Sequence, residues 1–122
     1  MIKGVGNDII EIDRIRKTIE KHGAHFYKKF FTEAELDYCL AHKDPALPVA
    51  GRFAAKEAIA KALGTGFGKS VSFLDLEIIN DALGRPIVEC SDSFNEHFSF
   101  PQLLVSISHC NTHASAVALW VE

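Results

Sequence analysis

Residues 46–63, Ala-Leu-Pro-Val-Ala-Gly-Arg-Phe-Ala-Ala-Lys-Glu-Ala-Ile-Ala-Lys-Ala-Leu, constrain this chain more than any other stretch. The turn-forming run Lys43-Asp44-Pro45 stands before them and Gly64 after them, which predicts a helix that starts at Ala46 or Val49 and stops after Leu63. Wound at helical pitch, its apolar side chains cover nearly the whole circumference, so the helix is expected to lie buried with the rest of the chain packed around it. On that helix Glu57 has Phe53, Ala54, Ala60 and Lys61 one turn away, while Ile59 and Leu63 sit on the other side.

The remaining elements follow from local patterns. Residues 2–12 alternate as a strand with Ile2, Gly4, Gly6, Asp8, Ile10 and Ile12 on one side. Asp13 is suited to cap a helix through Ile15 and Ile19 that stops at Gly23. Thr32 and Glu35 have the spacing of a capping box, predicting a helix to about His42. Val71–Ile79 and Arg85–Cys90 read as an antiparallel pair around the turn Asn80–Gly84, Ser91–Phe98 as a short helix, and Leu103–His109 and Ala114–Val121 as two closing strands. The sum is an α+β domain with a largely antiparallel sheet. At 122 residues, 48% of them hydrophobic, a single domain over residues 1–122 with one core is expected. No segment approaches the roughly 20 apolar residues of a membrane span, and no leader pattern opens the chain, so a cytoplasmic protein without a membrane partner is expected. Cys39, Cys90 and Cys110 are few and far apart, as expected of reduced thiols.

Charge is unevenly spread. The net charge is −3, yet residues 13–29 carry Arg14, Arg16, Lys17, Lys21, Lys28 and Lys29 against Asp13 and Glu20. Such a basic face steers acidic partners. It lacks the interleaved aromatic platforms of a nucleic-acid groove, and the chain as a whole is acidic, so no nucleic-acid partner is expected.

Asp8 on an apolar strand face and Glu57 on an apolar helix both call for compensation, since burying an unpaired carboxylate is costly. Taken singly, each has an ordinary explanation: Asp8 turning to solvent, Glu57 pairing with Lys61 four residues on. One hard cation held by both resolves the two burials together, and two carboxylates completed by water and phosphate oxygens suit Mg2+. Arg52, Lys56 and Lys61 would then neutralise a polyanionic ligand such as a pyrophosphate. His109, closing Ser106-Ile107-Ser108-His109, is either a core histidine or a phosphate donor.

Three separated motifs carry a resemblance: Gly4-Val5-Gly6-Asn7-Asp8-Ile9-Ile10-Glu11-Ile12-Asp13-Arg14-Ile15, the run Gly51–Gly66 built on Arg52-Phe53-Ala54-Ala55-Lys56-Glu57 and Lys61, and Ser106–His109. Over essentially its whole length the chain resembles the small single-domain class of 4′-phosphopantetheinyl transferases, the holo-acyl-carrier-protein synthases. Arg85 stands where lysine is more usual and Cys110 where threonine is. The resemblance implies the 4′-phosphopantetheinyl transferase fold, a largely antiparallel sheet packed against a long buried helix, and a homotrimer with active sites at subunit interfaces. It implies Mg2+ on Asp8 and Glu57, a catalytic pair Glu57 and Lys61, and coenzyme A bordered by Arg52, Lys56, Lys61 and His109. Arg14 matches a carrier-docking arginine, and Arg16, Lys17 and Lys21 join it on charge alone.

The implied reaction moves 4′-phosphopantetheine from coenzyme A to a serine of apo acyl carrier protein and releases adenosine 3′,5′-bisphosphate, in support of fatty acid biosynthesis. Glu57, Glu35 and a metal-bound hydroxide all stand open as the base. Two other readings remain: a non-catalytic carrier-protein or nucleotide binding module, and a Mg2+-dependent phosphohydrolase acting on coenzyme A or nucleotides.

Overall fold

The computed structural model describes residues 1–68 and 71–122. At its centre the strand β1 (Ile2–Glu11) lies against the helix α4 (Ala46–Leu63). β1 pairs antiparallel with β5 (His113–Val121), and β5 with β4 (Gln102–His109), in the order β1-β5-β4. Alternation along β1 is as the residue pattern predicts: Gly6 is buried and Asp8 and Ile10 are half-buried on the α4 side, while Val5 and Ile9 are exposed on the other. Glycine is required at two of these positions. A Cβ on Gly4 would stand 2.0 Å from the Ala62 carbonyl oxygen, and one on Gly6 would stand 2.0 Å from that of Ala58. From β5, Ala114, Ala116 and Ala118 complete the small-residue surface facing α4.

Around this centre sit α1 (Ile12–His22), α2 (Ala24–Phe30), α3 (Glu33–Leu40) and α5 (Asp92–Phe98), with a second antiparallel sheet of β2 (Leu76–Asn80) and β3 (Pro86–Cys90). Thr32 caps α3 as predicted: its Oγ1 accepts from the Glu35 amide and the Glu35 carboxylate accepts from the Thr32 amide. Two expectations are corrected and one helix is added. Asp13 does not cap α1, which begins one residue earlier at Ile12, whose amide reaches the Thr112 carbonyl at 2.9 Å; Asp13 pairs instead with Arg16. Residues 24–30, which carried no helix signal, form α2. Val71–Ile79 is not one strand, because Phe73–Asp75 forms a 3-10 turn in which the Asp75 carboxylate accepts from the Ser72 amide at 2.9 Å, and β2 starts only at Leu76.

Two groups of buried apolar residues flank α4. One gathers Ile59 and Leu63 with Val71, Leu76, Ile78 and Phe94; the other gathers Val49 and Ala50 with Ile12, Ile15, Phe26 and Phe31. Among the described residues no helix is long and apolar enough to cross a membrane.

Candidate active site

Asp8 from β1, Arg14 from α1, and Glu57 and Lys61 from α4 line one open groove, together with Ile9, Ile10 and Ile15 and an aromatic wall of Phe26, Phe30 and Phe53. The close approach of β1 to α4 at Gly6 brings the strand carboxylate beside the helix carboxylate. Lys61 spans the two elements, its Nζ donating to Asp8 Oδ1 and to the Asn7 carbonyl, each at 3.0 Å. The Asp8 side chain is 18% exposed and that of Lys61 is 54% exposed. Burial, and after it the negative charge of Asp8, pushes the Glu57 carboxyl above the usual carboxylate range, with Lys61 acting in the opposite direction. Such a pair of carboxylates gains from a cation between them. Among the described residues no group of three or more His, Cys, Asp or Glu side chains is arranged to hold a metal. A cation here would therefore complete its shell with water and ligand oxygens, which fits Mg2+ and not Zn2+.

Arg52 and His109 come together elsewhere. They line a second depression with Tyr38, Asn80 and Pro86, and it shares no lining residue with the groove. The Arg52 guanidinium donates to Asn80 Oδ1 at 2.6 Å and lies 4.1 Å from the Tyr38 ring centre, while its Nε is buried without a hydrogen-bond partner among the described residues. His109 is exposed at the end of β4 and is not a core histidine.

Lys56 belongs to neither surface, and the expectation that it borders a polyanion is corrected. Its side chain is fully buried, and its ammonium donates to Glu35 Oε1 at 2.6 Å, the Phe30 carbonyl at 2.8 Å and the Phe73 carbonyl at 3.0 Å. An ammonium has three protons, and all three are taken. Glu35 is likewise fully buried, its second oxygen accepting from the Ile78 amide at 2.9 Å, which removes it as a base acting in the groove.

On α1, Arg14, Lys17 and Lys21 are exposed, and Arg14 also reaches the groove. Arg16 differs, because Asp13 and Asp44 both engage its guanidinium. Sequence reasoning passed over Tyr38, Asn80 and the phenylalanine wall. The cluster Phe26-Tyr27-Lys28-Lys29-Phe30-Phe31 was the available signal for the wall; nothing in the sequence pointed to Tyr38 or Asn80 as partners of Arg52.

Comparison with known proteins bears on this geometry. Residues 4–118 match the family model of the 4′-phosphopantetheinyl transferase superfamily. The chain belongs to that superfamily. A curated relative, holo-acyl-carrier-protein synthase of Protochlamydia amoebophila, is 55% identical over 120 residues, covering 98% of each chain. Two solved structures are also similar. Holo-acyl-carrier-protein synthase of Neisseria meningitidis has a TM-score of 0.91 at 34% identity, covering 100% of both chains. The Helicobacter pylori enzyme, in complex with coenzyme A, has a TM-score of 0.88 at 36% identity, covering 96% of this chain and 99% of that one. The span matched to the transferase superfamily takes in Asp8, Arg14, Glu57 and Lys61 of the groove and Arg52 and His109 of the second depression.

Proposed function

We propose that this chain transfers 4′-phosphopantetheine from coenzyme A to a serine of apo acyl carrier protein, as a Mg2+-dependent holo-acyl-carrier-protein synthase. The observation that carries the reading is the meeting of Asp8, Glu57 and Lys61 in one groove, within a chain that is alike end to end to proteins of that activity. Asp8 and Glu57 would hold Mg2+, which when bound neutralises charge on the pyrophosphate oxygens. The serine oxygen bonds to the β-phosphorus while the bond from that phosphorus to the bridging oxygen breaks. The serine proton passes to a base within hydrogen-bond reach at the groove, a role for which Glu57 is the candidate among the lining residues. Lys61, half exposed at the groove, donates to the departing phosphate, so adenosine 3′,5′-bisphosphate leaves with the bonding electrons stabilised.

Arg14, Lys17 and Lys21, with Arg16 held beside them, form the docking face for an acidic carrier. Arg52 and His109 bind the nucleotide end of coenzyme A. The resemblance implies a homotrimer in which one coenzyme A would meet both across a contact between copies, a reading in keeping with a depression and a groove that share no lining residue. The sheet face turned away from α4 supports that contact: Val5, Ile9, Leu104 and Val117 stand there 47–67% exposed. With α4 as the buried axis of a single domain over 1–122, the enzyme would act in the cytoplasm in fatty acid biosynthesis.

The test incubates the protein with coenzyme A, Mg2+ and apo acyl carrier protein and weighs the carrier intact. A phosphopantetheine-sized mass gain that needs Mg2+ and collapses in Asp8→Ala and Glu57→Ala is expected. No gain with several competent apo carriers would overturn the reading in favour of a non-catalytic binding module, and release of bisphosphate without a carrier would favour a phosphohydrolase.

A further inference from the structure

We infer that the buried Glu35–Lys56 pair positions the aromatic wall of the groove and through it sets the affinity for the pantetheine arm of coenzyme A, an inference that rests on the transferase reading. A fully buried ion pair adds little net stability over an apolar pair of the same volume, because both ions give up their hydration. The partners of this one point to a geometric role. Lys56 Nζ grips the carbonyl of Phe30, the last residue of the seven-residue α2, and the carbonyl of Phe73, the first residue of a three-residue 3-10 turn. Neither element is long enough to hold itself in place. Glu35 anchors the ammonium in turn, accepting from Thr32 at the start of α3 and from Ile78 in β2, each at 2.9 Å.

Of the two gripped residues, Phe30 belongs to the wall itself and Phe73 packs against Phe30 and Phe53 without lining the groove. Phe30 meets Phe53 edge-on with centroids 5.6 Å apart and Phe73 edge-on at 4.6 Å, and Phe53 stacks on Phe73 at 5.3 Å. Phe30 and Phe53 line the groove next to Glu57. The carboxylates of the groove are held by a different contact, the approach of β1 to α4 at Gly4 and Gly6. Lys56 and Glu57 are therefore sequence neighbours that serve two different parts of the groove lining, the aromatic side chains and the carboxylates. Coenzyme A divides in the same way. Its pyrophosphate suits the carboxylates and Lys61, whereas the methyl and methylene carbons of its arm suit the phenylalanines. Adenosine 3′,5′-bisphosphate lacks the arm and does not need the wall.

The deciding variant is Glu35→Gln with Lys56→Met, which removes both charges together and so avoids a lone buried ion. Its Phe30 and Phe73 carbonyls lose their common donor. Expected is a KM for coenzyme A raised about tenfold, the scale of losing one or two apolar groups from an apolar surface, with kcat, the KM for carrier and the inhibition constant of adenosine 3′,5′-bisphosphate all within about twofold of wild type. A KM for coenzyme A that does not move, one that rises together with the bisphosphate constant, or a rise confined to the carrier KM each overturns the inference. Should the double variant not fold, Phe53→Leu gives a second decision: an unchanged ratio of coenzyme A to bisphosphate affinity refutes the wall as an arm site. If the wild-type protein transfers nothing, the functional reading fails on its own, and calorimetric titration with coenzyme A and with the bisphosphate still yields that ratio for wild type and variant.

Discussion

Gly6→Ala should damage stability and the proposed transfer together, because the position couples β1 to α4 two residues before Asp8. The added Cβ would stand 2.0 Å from the Ala58 carbonyl oxygen, 2.7 Å from the Ala62 nitrogen and 3.0 Å from Lys61 Cβ, where ordinary contact begins at 3.4 Å. Two of the three obstacles are backbone atoms of the last two turns of α4, so the strand must retreat by about 1.4 Å. Overpacking of this kind costs on the order of 3 kcal/mol, which lowers the melting temperature of a domain this size by about 10 °C. The same retreat carries Asp8 away from Glu57 and Lys61, and a displacement of about 1 Å at a reacting centre lowers the rate about 100-fold. Thermal unfolding and carrier mass analysis measure the two effects on one preparation. Gly64→Ala is the control for stability, since Gly64 has φ 78° with nothing within 4 Å of its Cβ, and it should cost only about 1 kcal/mol from backbone conformation. A Gly6→Ala protein that melts within about 2 °C of wild type, or that transfers at nearly the wild-type rate despite a lower melting point, would refute the reasoning.

Thr32→Ala should cost about 1 kcal/mol in urea unfolding by removing the α3 cap, and Thr32→Ser should restore most of it; equal losses in both would show that the hydroxyl does no capping. Lys56→Met leaves the Glu35 carboxylate buried alone and should cost about 3–5 kcal/mol, with the double change Glu35→Gln/Lys56→Met recovering most of that in guanidinium unfolding. Iodoacetamide should label exposed Cys110 first, with a midpoint below the ordinary thiol value because the Thr112 hydroxyl bonds its sulfur, and Thr112→Val should move that midpoint up. Cys39 and Cys90, both pushed up to about 11 by burial, should resist labelling until the protein unfolds. Since the unfolded chain gives up these protons first, their contribution to stability is complete below pH 9.0 and is lost as pH rises through about 11, which denaturation across that range will measure.

What can be read along the chain here is whatever depends on near neighbours. The bounds of α4 follow from Pro45 and Gly64, the α3 cap from Thr32 and Glu35 at three residues' spacing, and the inward turn of Asp8 from the period of a strand. The family is legible for the same reason, since its motifs are short and keep their order. The opposite fates of Lys56 and Glu57 are not legible. Both are charged, both sit on an apolar helix, and about 100° of helical rotation separates a core position from a groove position. The outcome rests on partners far along the chain: Glu35 lies 21 residues from Lys56, Phe30 lies 26 residues away and Phe73 lies 17 away. The separation of Arg52 and His109 from the groove likewise depends on how β1, β4 and α4 pack. Sequence by itself determined which side chains were available for phosphate and metal chemistry; only the tertiary structure decided which of them face a ligand, because burial is a property of the neighbours that folding brings in.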